Sequence, residues 1–92
     1  MLFIPLIINI MDRNYRIELY QYQQNTSIQS NCNNITFINN GATTIQINNF
    51  NLVAGASLQI GGNADELDTT IYQLNFQGAT TGNVSVIKKI FN

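Results

Sequence analysis

Four oxygen-bearing side chains, Asn63, Asp65, Glu66 and Asp68, fall within six residues, directly after the pair Gly61-Gly62. Hard carboxylate and amide oxygens are what calcium takes, and a glycine pair permits the sharp turn that would gather them. The spacing departs from an EF-hand loop. Gly61-Gly62-Asn63-Ala64-Asp65 only partly resembles one calcium-binding nonapeptide, a repeat that works in tandem arrays this chain lacks. The stretch is therefore a calcium candidate set against a solvated acidic turn or a contact to Arg16, Lys88 or Lys89 of another chain. No resident metal or cofactor is expected.

Other chemistry finds few supports. The single cysteine, Cys32, has no histidine anywhere in the chain to act as its base, and the serines lack one equally. Paired-carboxylate catalysis would need Glu18 to meet the acidic cluster in a pocket deeper than so small a domain builds. The chain is not expected to be an enzyme. One cysteine forms no internal disulfide and reads as a free structural thiol made under reducing conditions. Of the four tyrosines, Tyr15 and Tyr72 alternate with polar neighbours as core residues do, which leaves Tyr20 and Tyr22 as surface candidates for a protein or sugar contact. Asn25-Thr26-Ser27, Asn34-Ile35-Thr36 and Asn83-Val84-Ser85 match the glycosylation acceptor, a match expected by chance in so Asn-rich a chain.

Composition narrows the partners. Ninety-two residues make one domain with a modest core, 45% of residues are hydrophobic, and only 10% are charged, against about 25% in an average protein. Asn, Gln and Thr stand where Lys and Glu would, giving a surface that packs on others without stripping water from charges. An AT-rich coding sequence yields the same excess of Asn and Ile. A net charge of -1 with two isolated basic pairs, Arg13/Arg16 and Lys88/Lys89, offers no field for a polyphosphate, so direct nucleic-acid binding is not expected.

The elements that must position these residues are strands. Residues 1–10 (MLFIPLIINI) are apolar for half the length of a membrane-spanning helix, with no basic residue before and no cleavage site after. Pro5 and the β-branched residues favour an extended form, so residues 1–14 read as an apolar N-terminal arm or edge strand, with residues 15–92 as the domain. The arm's Leu2, Phe3, Ile4, Leu6, Ile7 and Ile8, with Tyr20 and Tyr22, are the candidate interface. Its contact is with its own core, with a neighbouring chain or, less favoured, with a membrane.

Residues 15–22 (YRIELYQY) alternate Tyr15, Ile17 and Leu19 against Arg16, Glu18 and Tyr20, predicting a half-buried strand with the first set inward. Residues 23–34 read as a surface loop with a weak strand around 27–29. Residues 35–39 and 43–48 flank Asn40-Gly41, the dipeptide that most readily closes a tight hairpin. Asn48-Asn49 interrupts the pattern, Phe50 and Leu52 resume it, and Gly55 turns the chain into a strand at 57–60. Residues 64–70 form a helical turn or loop before a strand at 71–77, whose Tyr72, Leu74 and Phe76 share a face. The last strand, 84–91, carries Lys88 and Lys89 as guards against edge pairing. About seven strands with turns every eight to twelve residues predict an all-β single small β-sandwich, Ig-like or jelly-roll-type. Its expected core comprises Ile17, Leu19, Phe37, Ile45, Ile47, Leu58, Ile60, Leu74, Phe76, Val84 and Val86.

Across residues 35–76, a strand, Asn-Asn-Gly, Thr-Thr-Ile-Gln-Ile, a Leu-Val-Ala-Gly-Ala-Ser turn, Leu-Gln-Ile-Gly-Gly-Asn and Asp-Glu-Leu-Asp-Thr-Thr before Tyr-Gln-Leu-Asn-Phe follow in order. This run resembles the small Asn/Ile/Thr-rich structural proteins of bacteriophages that infect Bacteroidetes-type bacteria. The resemblance implies a virion component (minor capsid, decoration, vertex, spike-base or tail-associated) that is made in the host cytoplasm and resides in the virion. It also implies assembly with copies of itself and with other capsid proteins. The arm departs from relatives that begin at a sequence like Met11-Asp12-Arg13. The competing expectation is a carbohydrate-binding or adhesin-like module using Tyr20, Tyr22 and the 23–34 loop.

Overall fold

A computed structural model describes residues 14–78 and 82–92; the apolar segment 1–10 and its six candidate contact residues lie outside them. Among the described residues the strands are β1 (Tyr15–Tyr22), β2 (Thr26–Gln29), β3 (Asn34–Asn39), β4 (Ile45–Ile47), β5 (Phe50–Leu52), β6 (Ser57–Gly61), β7 (Ile71–Phe76) and β8 (Val84–Phe91). They form two antiparallel sheets, ordered β1-β8-β3-β6 (sheet A) and β2-β7-β4-β5 (sheet B). The chain passes between sheets at every connection except β4 to β5. This strand order is that of the eight-stranded jelly roll, two interlocked Greek keys packed as a sandwich. Eight strands stand where about seven were expected.

The core lies between the sheets. Strand alternation delivers Ile35 and Phe37 from β3, Ile45 and Ile47 from β4, Tyr72, Leu74 and Phe76 from β7, and Val84 and Val86 from β8, all buried. Each such side chain contributes about 1.5–3 kcal/mol by leaving water. Phe37 meets Tyr72 edge to face across the sandwich, with ring centroids 5.3 Å apart. Leu58 and Ile60, on the edge strand β6, are only partly buried against this cluster.

Local turn chemistry misleads at Asn40-Gly41. No hairpin forms there, because β3 belongs to sheet A and β4 to sheet B. Backbone bonds hold the chain in sheet A through Asn40, whose N–H donates to the Asn83 carbonyl at 2.9 Å. The buried Asn39 amide then shapes the exit: it donates to the carbonyls of Thr43 (2.8 Å) and Leu52 (2.9 Å), and its oxygen accepts the Gly41 N–H at 3.0 Å. The hairpin sits one step later, between β4 and β5, where Asn48 takes a left-handed φ of 52°. Asn tolerates that region, so the apparent interruption is the turn.

The 23–34 loop is also more than surface. Ser30, Cys32 and Asn33 are buried, and Cys32 makes an isolated bridge to Asp68. Asn33 Nδ2 donates to the carbonyls of Ala64 (3.2 Å) and Glu66 (2.6 Å), while its Oδ1 accepts the Phe91 N–H at 2.8 Å. One asparagine thus ties the acidic turn to the end of β8.

β8 is no edge strand. It runs between β1 and β3, so Lys88 and Lys89 do not guard an edge. Lys88 points inward and is 8% exposed; its ammonium donates to the Gln29 carbonyl at the end of β2, at 2.7 Å.

Candidate functional site

The register of β1 against β8 decides which residues face out. Tyr22 pairs with Val84 and Tyr20 with Val86, both valines being fully buried, so even-numbered residues of β1 share the core side. Tyr15, Ile17 and Leu19 therefore face outward, with exposures of 51%, 48% and 72%. This reverses the inward placement predicted for Ile17 and Leu19 and the core role expected for Tyr15. Both parities of β1 carry large rings or aliphatic groups, so alternation showed two faces without saying which was inside. Pairing with β8 supplied the answer.

Beside these three residues on the same outer face stand Ile87 and Phe91 of β8 and Ile38 of β3. Tyr15 and Phe91 meet edge to face at 5.7 Å, and the Lys89 ammonium lies 4.2 Å from the Tyr15 ring and 5.1 Å from that of Phe91. Cation–π attraction and the lysine's own stem close one end of the patch without placing a carboxylate on it. At the other end, Leu19, Gln21, Ile38, Asn40, Ser85 and Ile87 line a shallow depression of about 560 Å³. Contiguous exposed apolar surface of this kind marks contact sites. The outward residues of sheet B contrast with it: Ser27, Gln29, Gln46, Asn51, Gln73 and Asn75 are polar, and Ile71 is the exception.

Tyr20, 39% exposed, and the half-buried Tyr22 lie on the opposite side of β1 from that patch. Tyr22 packs against the core, and the two rings stack with centroids 6.2 Å apart. The Tyr20 hydroxyl donates to Glu18 Oε1 at 2.7 Å, Arg16 Nε donates to Glu18 Oε2 at 3.2 Å, and the Lys88 ammonium stands 5.0 Å from the Tyr20 ring. The bond from Tyr20, and after it that from Arg16, holds the Glu18 carboxyl below the ordinary range, and the bond to Glu18 in turn pushes the Tyr20 phenol up. These polar groups occupy the core side of β1.

The calcium candidates do not converge. Asn63 Nδ2 donates to Glu66 Oε1 at 2.8 Å, whereas the Asp68 carboxylate accepts the Thr70 N–H (2.8 Å) and the Tyr72 hydroxyl (2.7 Å). Among the described residues no three His, Cys, Asp or Glu side chains gather as a metal would need. Burial acts to raise the Asp68 carboxyl, but hydrogen bonds from Thr70, Tyr72 and Ser30 outweigh it and leave the group below its usual value. Burial and the bond to Asp68 push Tyr72 up to about 12. Burial raises the Cys32 thiol as well, which suits a packed side chain and not a nucleophile. The acidic turn is thus a structural brace of the β6–β7 connection.

A second depression, of about 390 Å³, is lined by residues 21–26, most of them amides. Asn25 is partly committed there, since its Oδ1 accepts the Phe76 N–H at 2.8 Å and its Nδ2 donates to Asn75 Oδ1 at 2.8 Å.

Sequence reasoning missed the outer patch, although a signal for it exists. β1 and β8 both carry apolar residues at both parities, the mark of strands covered on two faces. Fold and surface together define a charge-poor jelly-roll domain with one apolar sheet face. Comparison with protein-family models, curated proteins and solved structures finds no match.

Proposed function

We propose that this chain is a non-enzymatic structural component of a virion, acting by multivalent assembly with copies of itself and with other particle proteins. The observation that carries the reading is the apolar outer face of sheet A on a domain that is only 10% charged. Such a face loses little in desolvating charge when covered, and weak contacts become durable when many copies close a lattice. The jelly roll is a fold used by capsid proteins, an analogy that raises the reading without deciding it. Mass spectrometry of purified phage particles tests it. The protein should appear at a fixed copy number per particle, and its absence from particles in a lysate that contains it would overturn the proposal.

The amide-lined depression at residues 21–26 favours a second reading, carbohydrate binding, because amides pair with vicinal hydroxyls and jelly rolls also serve lectins. Tyr22 stands beside it, but packed on the core. A glycan array probed with a multivalent form of the protein, showing binding that Asn25→Ala and Gln23→Ala abolish, would support this alternative.

A further inference from the structure

Tyr15, Ile17 and Leu19 are exposed on the outer face of sheet A with the half-buried Ile38, Ile87 and Phe91 beside them, and one stretch of this chain has the matching chemistry. Residues 1–10 hold no charged side chain and are mostly Leu, Ile, Phe and Met. Ten residues in extended form span about 33 Å, enough to cross the full length of an eight-residue strand such as β1, about 26 Å.

Where the described chain starts decides whose face it meets. The Asn14 carbonyl accepts the Asn92 N–H at 2.9 Å, so the backbone is still held in the plane of sheet A at Asn14, alongside the end of β8. Only residues 11–13 separate that point from the apolar run, and three residues reach about 10 Å. A layer packed on a sheet stands about 10 Å from it. Folding back onto its own face would spend that connection on the climb and part of the apolar run on the reversal, whereas a neighbour's face can take the run whole.

We infer that the outer face of sheet A, from Tyr15 and Phe91 to the depression at Leu19, Ile38 and Ile87, receives the N-terminal apolar segment of a second copy of this chain. The inference rests on the assembly reading and names its contact. Each copy then both offers a segment and accepts one. The contact is head-to-tail and propagates or closes into a ring according to the rotation between copies.

The test uses full chains. One version carries Leu6→Cys and a size tag, and the other carries Leu19→Cys; Cys32 is fully buried and does not compete. On mixing and mild oxidation, a disulfide-linked dimer of the two versions should form at least fivefold faster than when the second chain carries Gln46→Cys on the outer face of sheet B. Leu19→Asp in an otherwise unaltered full chain should weaken self-association at least tenfold by sedimentation velocity while leaving the circular dichroism unchanged. Three outcomes would overturn the inference. Cross-linking confined to single chains bearing both cysteines would assign the face to the chain's own segment. Equal rates at Leu19→Cys and Gln46→Cys would leave the segment with no preferred site. Capture of the segment by phosphatidylcholine vesicles with loss of the cross-link would assign it to lipid. If the cross-link forms but the protein is absent from particles, the virion reading fails while the exchange stands. Presence in particles without the cross-link gives the converse.

Discussion

Tyr72 and Asp68 form a pair whose two protonation states pull stability in opposite directions at the two ends of the pH scale. Tyr72 is raised to about 12 from 10.0, so the folded state retains a proton that the unfolded chain releases between those values. Its contribution is complete below pH 10 and is lost as pH rises toward 12, amounting to about 2–3 kcal/mol across the window. Asp68 is lowered from 3.8; its contribution is complete well above that value and is lost as pH falls below it. Tyr72→Phe should flatten the alkaline decline in urea midpoint, though Tyr20 and Tyr22, both raised, keep part of it. Should the alkaline limb of the Tyr72→Phe variant match that of the parent, Asp68 and burial do not shift this phenol. Asn39 is a second residue-scale lever. Asn39→Ala strands two carbonyls and one N–H at the sheet A exit and should cost about 3 kcal/mol in chemical denaturation. Neither role is written in the sequence, where Asn39 is one asparagine among many.

At the scale of elements, the short strand β2 depends on its neighbours. It has one in-sheet partner, β7, and Lys88 reaches its end from the other sheet. Lys88→Met keeps the aliphatic packing and removes a buried charge, so global stability should stay within about 1 kcal/mol. The amides of β2 should nevertheless exchange with deuterium about tenfold faster, because their local opening no longer breaks the ammonium bond. Unchanged exchange in Thr26–Gln29 would show that the lysine does not pin the strand. The end of β6 is limited by space: Gly61 has a φ of 90°, and a Cβ there would lie 2.6 Å from the Asn33 carbonyl oxygen. Gly61→Ala should therefore destabilise the domain by more than the ~1 kcal/mol typical of a glycine substitution and lower its melting temperature by several degrees. The Gly61-Gly62 pair thus makes a sharp turn at the end of β6. The reason lies in the approach of Asn33, a residue 28 positions earlier, which no local pattern could show.

The whole molecule carries a net charge of -1 and an apolar contact face whose one charged residue is Lys89. Its self-association should accordingly change less than about threefold in affinity between 50 mM and 500 mM salt, since screening acts on charges the contact does not use. A steep salt dependence by sedimentation would assign the contact to Arg16 and the acidic turn instead. Much of this molecule follows from residue order alone. The all-β class, the extents of β1, β3, β7 and β8, and the buried face of Tyr72, Leu74 and Phe76 rest on period-two alternation and turn residues, which act within a few positions. The tertiary structure decided the rest because a jelly roll pairs strands far apart in the chain. It moved the hairpin from Asn40-Gly41 to Asn48-Asn49, placed β8 in the interior of its sheet, and turned Ile17 and Leu19 outward. In a strand with apolar groups on both sides, only the partner's register decides which side meets the core, and β8 joins β1 from the opposite end of the sequence.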